Sequence, residues 1–122
     1  MSKSVLIVED NEHLRQILAS VLRFSGYETV EAGSGAEAIE KAASGRPRVI
    51  LLDLDLPDMT GINVARSIKR NPPSAHIPII ACSAFSNGEA REESLSAGMV
   101  DYLQKPISSA LIKAKIEQFI LP

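Results

Sequence analysis

The chain has 122 residues, of which 45% are hydrophobic and 23% are charged, the length and balance of a single globular domain with its own core. Its net charge of -2 excludes the basic surface of a nucleic-acid-binding protein, and no apolar run approaches the ~20 residues that span a bilayer. The first strand starts directly after Ser4, so no signal peptide is expected. The single cysteine, Cys82, excludes an internal disulfide and favours a cytoplasmic location.

Strand-like and helix-like segments alternate five times along the chain. Strands are predicted over residues 5–8, 27–31, 49–52, 77–82 and 100–103, and apolar runs mark the first, third and fourth of them. Helices are predicted from the first strand to Gly26, from Ser34 to Ala43, from Thr60 to Asn71, from Asn87 to Ala97 and from Ser108 to Ile120. The first of them carries apolar residues at helical spacing, namely Leu14, Ile17, Leu18, Val21 and Leu22. The alternation predicts an α/β fold with a doubly wound, five-stranded parallel sheet and right-handed crossovers.

Polar and charged residues stand where four of the predicted strands end. Glu9 and Asp10 follow the first strand, Asp53 ends the third, Ser83 ends the fourth and Lys105 follows the fifth. Because ligands of parallel sheets bind at the carboxyl ends of the strands, these groups are expected to meet at one edge.

The acidic residues of this group predict a divalent cation site. In a sheet of order 2-1-3-4-5 the first and third strands are neighbours, so Asp10 and Asp53 would repel one another unless a cation lay between them. Mg²⁺ prefers oxygen ligands and keeps several waters. Asp10 and Asp53 are predicted to bind it directly, Glu9 through water, together with a backbone carbonyl of the following loop; Mn²⁺ is expected to substitute.

The same group of residues can hold a phosphoryl group on an aspartate. A carboxylate such as that of Asp53 can attack phosphorus and form an aspartyl phosphate. Lys105 would place a positive charge on the phosphoryl oxygens, and Ser83 would offer its hydroxyl. A cis bond before Pro106 would direct Lys105 back toward the sheet edge.

The chain resembles the receiver domains of two-component response regulators over its whole length, residues 1–122. The resemblance is carried by four pieces in the expected order, namely residues 8–10, 51–61, 83–84 and 97–106. It implies the flavodoxin-like (βα)5 fold with strand order 2-1-3-4-5. It also implies that Asp53 is the phosphoacceptor, since the acceptor of the family stands four residues before a proline, here Pro57, and eight before a glycine, here Gly61.

Further roles are implied by the same resemblance. Asp55 occupies the position whose backbone carbonyl binds Mg²⁺, and its side chain bears on the lifetime of the phosphate. Ser83 and Tyr102 correspond to the switch residues, in which the hydroxyl turns toward the phosphate and the tyrosine moves inward. Pro57, Gly61 and Pro106 correspond to structural positions of the family.

The resemblance also implies the partners. The phosphodonor would be a sensor histidine kinase or a histidine phosphotransfer protein, and a downstream protein would bind the face of helix four, strand five and helix five. No direct nucleic-acid contact and no membrane insertion are expected, and the protein would be a monomer or a phosphorylation-dependent dimer. Beyond transfer to itself and autodephosphorylation, no enzymatic activity is expected.

Two alternatives compete with this interpretation. The Asp53-Leu54-Asp55 segment resembles the nucleophile motif of haloacid-dehalogenase-type phosphatases, but that motif normally opens the chain, and it leaves Glu9 and Asp10 unexplained. The second alternative is a receiver-like module that binds partners without phosphorylation. Whether the receiver acts alone or belongs to a longer regulator stays open.

Overall fold

The computed structural model describes residues 3–84 and 88–120. Within these ranges five strands alternate with five helices. In chain order the elements are β1 Ser4–Val8, α1 Glu12–Phe24, β2 Glu28–Ala32, α2 Gly35–Gly45, β3 Val49–Asp53, α3 Gly61–Arg70, β4 Ile79–Ser83, α4 Gly88–Ser96, β5 Asp101–Gln104 and α5 Ser109–Ile120. Asn87, the predicted start of α4, lies outside the described residues.

The strands form one parallel sheet of order β2-β1-β3-β4-β5, which confirms the predicted topology. Its three central strands are buried at every position, as a sheet covered on both faces requires. Successive side chains of a strand point to opposite faces. Leu6, Ile50 and Ile79 therefore pack toward α2 and α3, whereas Ile7 and Leu51 pack toward α1 and α5.

The helices begin and end at the signals that the sequence contains. The side chains of Asn11, Ser34 and Thr60 accept hydrogen bonds from backbone N–H groups in the first turns of α1, α2 and α3, which satisfies donors that the helix itself leaves open. Ser108 does the same for α5 through the N–H of Leu111. Gly26 follows α1 at a φ of 96°, a left-handed conformation that glycine adopts without strain.

Strand boundaries differ from the prediction by one or two residues. The fourth strand was predicted from Ile77 but begins at Ile79, because the Ile77 N–H bonds to the carbonyl of Ser74 and Pro78 has no N–H to give to the ladder. The third and fourth strands each extend one residue beyond the ranges 49–52 and 77–82, to the residues predicted to stand at their ends. Asp53 and Ser83 are consequently the last residues of β3 and β4.

The apolar face of α1 is wider than the sheet can cover. Leu22 is fully buried, but Leu14 and Ile17 remain 43% and 47% exposed. This helix therefore offers an apolar surface to solvent in addition to the face that packs on the sheet.

No helix within the described ranges is long and apolar enough to cross a membrane.

Gly61 lets the loop after β3 fold back on itself. A methyl group at this position would lie 2.5 Å from Leu54 Cα and 3.0 Å from the Asp53 carbonyl oxygen, both of them backbone atoms. We expect Gly61→Ala to lower the free energy of unfolding by about 1–3 kcal/mol, the cost of forcing a packed backbone apart. Urea unfolding measures this cost. Gly45→Ala is the matched control, since nothing lies within 4 Å of the added methyl group; equal losses in the two variants would contradict the steric argument.

Candidate functional site

The C-terminal edge of the sheet brings together the polar residues predicted from the sequence. Asp53 and Ser83 end the adjacent strands β3 and β4, Glu9 and Asp10 directly follow β1, and Lys105 directly follows β5. Glu9, Asp53 and Ser83 are only 3%, 4% and 1% exposed, respectively. Asp10 is exposed to solvent. Buried charged and polar groups on several strand ends form a site rather than a scatter of surface charge.

Three carboxylates of this edge are close enough to share one cation. One oxygen each of Glu9, Asp10 and Asp53 lies within 4.8 Å of the other two. Lys105 Nζ donates to Glu9 Oε1 at 2.9 Å and lies 3.4 Å from Asp53 Oδ2. Lys105 contacts two of the three carboxylates, so an excess of negative charge remains. An all-oxygen donor set with excess negative charge fits Mg²⁺.

The remaining carboxylate oxygens of the two buried acids bond to backbone N–H groups. Glu9 Oε2 accepts from the N–H of Asn11 at 3.2 Å, and Asp53 Oδ1 accepts from the N–H of Asp55 at 3.0 Å. Each buried acid is therefore held by a backbone donor on one oxygen and by Lys105 on the other. This arrangement fixes the direction in which both carboxylates point.

Opposing effects act on the pKa of Lys105. Partial burial alone would lower this pKa, but the hydrogen bond to Glu9 and the charges of Asp53 and Glu9 outweigh burial and raise it. Lys105 therefore carries its positive charge at neutral pH.

Cys82 is the register partner of Asp53. Burial raises the pKa of its thiol to about 12. It packs as a small apolar residue, as expected.

Backbone hydrogen bonds hold the loops that carry the site. The Lys105 N–H donates to the Ser83 carbonyl at 2.7 Å, and the Leu54 N–H donates to the Cys82 carbonyl at 2.9 Å. The loops after β3 and β5 are thus tied to the end of β4. The bond between Lys105 and Pro106 is cis.

An apolar groove opens beside the acidic cluster. It has a volume of about 450 Å³ and runs between α1 and α5, with Asp53 and Lys105 among its lining residues. Its apolar walls include Leu14, Ile17, Leu18 and Val21 of α1 together with Ile107 and Ile112. The site can therefore be reached along an apolar surface.

Comparison with known proteins identifies the family. The sequence pattern of the family described as response regulator receiver domain matches residues 5–117. The chain belongs to the receiver domains of two-component systems. This receiver domain is 40% identical over 108 residues to the polar-differentiation response regulator DivK of Brucella ovis, and the match covers 88% of each chain.

Solved structures of similar receivers share the fold. The chemotaxis protein CheY4 of Vibrio cholerae superposes with a TM-score of 0.92 at 27% identity, covering 98% of this chain and 99% of that chain. The receiver domain of sensor histidine kinase PA1611 from Pseudomonas aeruginosa superposes with a TM-score of 0.89 at 32% identity, covering 98% of each. That structure has a magnesium ion coordinated in its active-site cleft.

The other predicted residues of the receiver lie around this edge. Asp55 and Pro57 are exposed in the loop between β3 and α3. Tyr102, on β5, is 8% exposed and belongs to the core cluster on the side of α2 and α3. Tyr102 therefore occupies a buried position in this structure. Tyr102 pairs in register with Ala81 of β4, two residues before Ser83, and its side chain is buried in the core.

Two residues near the site had no role in the sequence interpretation. Asp58 accepts hydrogen bonds from the N–H groups of Gly35 and Ala36 at 2.8 and 3.1 Å, which lower the pKa of its carboxyl group and tie the loop after β3 to the first turn of α2. Arg15 donates to the backbone carbonyl of Glu9. Both contacts join different elements, and neither follows from a local motif.

Proposed function

We propose that this receiver accepts a phosphoryl group on the Asp53 carboxylate from a phosphohistidine of a sensor histidine kinase or histidine phosphotransfer protein. The observation that carries the proposal is the buried Asp53 carboxylate, held between Lys105 and a backbone N–H beside two further acids. An Asp53 oxygen attacks phosphorus in line, the P–O bond forms and the P–N bond to the histidine breaks. The released imidazole takes its proton from solvent.

The side chains around Asp53 have distinct tasks in this transfer. Lys105 neutralises the phosphoryl oxygens as a point charge. The Ser83 hydroxyl, at the end of the adjacent strand, is proposed to donate to a phosphoryl oxygen after transfer. Water hydrolyses the aspartyl phosphate at the same site, so the receiver resets itself without turning over another substrate.

Glu9, Asp10 and Asp53, with the backbone carbonyl of Asp55, are proposed to hold Mg²⁺. The clustered carboxylate oxygens support this assignment, as does the magnesium ion in the cleft of the PA1611 receiver. When bound, the ion supplies positive charge to the transferred phosphoryl oxygens. Mn²⁺ is proposed to substitute because it also prefers oxygen ligands. A cytoplasmic location, where histidine kinases expose their phosphohistidine, fits this chemistry.

Intact mass after incubation with acetyl phosphate tests the proposal. We expect a gain of one phosphoryl group in the presence of Mg²⁺ and none in excess EDTA. The lack of an adduct with Mg²⁺ would overturn the proposal and favour a receiver that binds partners without phosphorylation.

The apolar groove between α1 and α5 is proposed to receive the phosphodonor protein. Leu14, Ile17, Val21 and Phe24 follow one another on α1 at alternating spacings of three and four residues, the spacing at which one helix packs along another. This surface is continuous with Asp53 through the groove. A helix of the donor could thus pack on α1 while its phosphohistidine reaches the site.

Ile17→Ser tests this docking surface. We expect phosphotransfer from phosphorylated histidine phosphotransfer domains to slow by about tenfold, because a buried apolar contact is lost, while the rate with acetyl phosphate stays unchanged. Leu95→Ser on α4 is the matched control, since Leu95 has a similar exposure of 45%. Equal slowing with acetyl phosphate would contradict a docking role.

The face of α4, β5 and α5 is proposed to bind the downstream effector or a second phosphorylated copy. Exposed Leu95, Val100 and Leu111 stand on α4, just before β5 and on α5. Ser94 is the only buried residue that the described part of α4 contributes, so this helix has few apolar anchors and can shift at low cost. Phosphorylation at Asp53 would bias this two-state face through Ser83 and Tyr102.

A further inference from the structure

Arg15 bridges the acidic cluster and the edge strand β2. Its Nη1 donates to the backbone carbonyl of Glu9 at 2.9 Å, and its Nε donates to Glu31 Oε1 at 3.2 Å. The side chain is only 18% exposed, although it starts from the first turn of a surface helix. A half-buried guanidinium with two fixed partners is held in one direction.

The turn after β2 leaves just enough room for this guanidinium. A methyl group at Gly33 would lie 3.0 Å from Arg15 Nη1. The Gly33 N–H is itself fixed by a 2.6 Å hydrogen bond to Glu37 Oε1. Because both the turn and the Glu31 carboxylate confine Arg15, the hydrogen bond to Glu9 does not rest on a freely moving side chain.

Glu9 lies at the point where β1 ends and its sheet hydrogen bonds stop. Its N–H donates to the Ala32 carbonyl at 3.0 Å, its carboxylate is held by Asn11 and Lys105, and its carbonyl is held by Arg15. At 3% exposure, water cannot easily replace a lost partner. Arg15 thus fixes the peptide unit that joins Glu9 to Asp10.

We infer that Arg15 is a positioning residue that orients the Glu9–Asp10 segment for cation binding, with Glu31 aligning its guanidinium. The inference rests on the proposed function. Two effects of opposite sign make it testable. As a cation that contacts the backbone of Glu9, Arg15 opposes metal binding by Coulomb repulsion, whereas as a fixed donor to the Glu9 peptide it favours metal binding through geometry.

Mn²⁺ titration followed by the electron paramagnetic resonance of the free ion separates the two effects. Arg15→Met is expected to weaken Mn²⁺ affinity by about 10-fold or more, the usual effect of removing an outer-shell partner of a metal ligand. A charge effect alone would make Mn²⁺ bind more tightly. Arg15→Lys keeps the positive charge but cannot donate to Glu9 and Glu31 from two separate nitrogens, so it should lose part of the Mn²⁺ affinity. Arg23→Met is the matched control, because it removes the same charge from the last turn of α1 and should leave affinity nearly unchanged.

Phosphorylation by acetyl phosphate provides a second readout. Arg15→Met should raise the Mg²⁺ concentration for half-maximal rate while keeping the rate at saturating Mg²⁺ within about twofold. Circular dichroism in EDTA verifies that the variants are folded. Unchanged or tighter Mn²⁺ binding by folded Arg15→Met and Arg15→Lys proteins, with normal binding by the wild type, overturns the inference alone. Failure of the wild type to bind Mn²⁺ overturns the proposed function and the inference together.

Discussion

Replacing Asp53 by asparagine is expected to abolish the phosphoryl adduct that acetyl phosphate and Mg²⁺ form on the wild-type receiver. The carboxamide keeps the shape of the side chain but has no anionic oxygen to attack phosphorus. It also removes one of the three clustered carboxylates, so Mg²⁺ binding should weaken as well. Intact mass spectrometry measures the result, with no adduct above the level of the EDTA control.

The neighbouring aspartates are the controls for this substitution. Asp55 is exposed, and the carboxylate of Asp58 already accepts two backbone N–H groups at the start of α2. Asp55→Asn and Asp58→Asn should therefore retain the adduct. A full adduct on Asp53→Asn, or its loss only in Asp55→Asn, would assign the phosphoacceptor to another residue.

The sequence was sufficient to predict the sheet and its edge because both depend on local patterns. Continuous apolar runs of four to six residues mark buried parallel strands, and the polar residue that follows each run must lie at the carboxyl end. Asp53 and Ser83 follow such runs directly, and Lys105 stands two residues beyond the predicted fifth strand, so all three could be placed at one edge from chain order. The strand order came from the family resemblance and is confirmed by the pairing of β1 with β2 and β3.

Contacts between distant elements could not be predicted in the same way. The Asp58 carboxylate bonds to amides 22 and 23 residues away, and Lys105 meets Glu9 across 96 residues. Only the packed structure sets such distances. Arg15 is an example. An arginine on the polar side of an amphipathic helix is expected to be exposed to solvent. Its contact with the Glu9 carbonyl depends on the position of the turn after β2, which the sequence pattern does not give.

The second large effect is expected from Lys105→Met, which removes the ammonium beside two buried carboxylates. In EDTA we expect the free energy of unfolding to fall by about 2–3 kcal/mol. This loss is smaller than the usual cost of removing one partner of a fully buried ion pair, because Lys105 is 28% exposed. Lys113→Met is the control, since it removes an exposed charge from α5 and should cost little. Urea unfolding measures both; equal stability of Lys105→Met and wild type would contradict the role of Lys105 as counter-ion.

The pH dependence of this loss has a definite sign. The pKa of Lys105 is raised in the folded receiver above its ordinary value of 10.5. Its contribution to stability is therefore complete below that value and is lost as the pH rises through the folded pKa. The difference in free energy of unfolding between wild type and Lys105→Met should stay constant from pH 7 to about pH 10. Above that pH the difference should become smaller.

Added Mg²⁺ should reverse much of the destabilisation of Lys105→Met. Without the ammonium, Glu9 and Asp53 face each other and Asp10 with no protein cation between them, so a bound divalent ion relieves more repulsion in the variant than in the wild type. Because a ligand stabilises the state to which it binds, the rise in unfolding midpoint with Mg²⁺ should be larger for the variant. Phosphorylation at saturating Mg²⁺ should nevertheless stay about 10²-fold slower, since the metal replaces the charge of Lys105 in the resting site but not its contact with the phosphoryl oxygens.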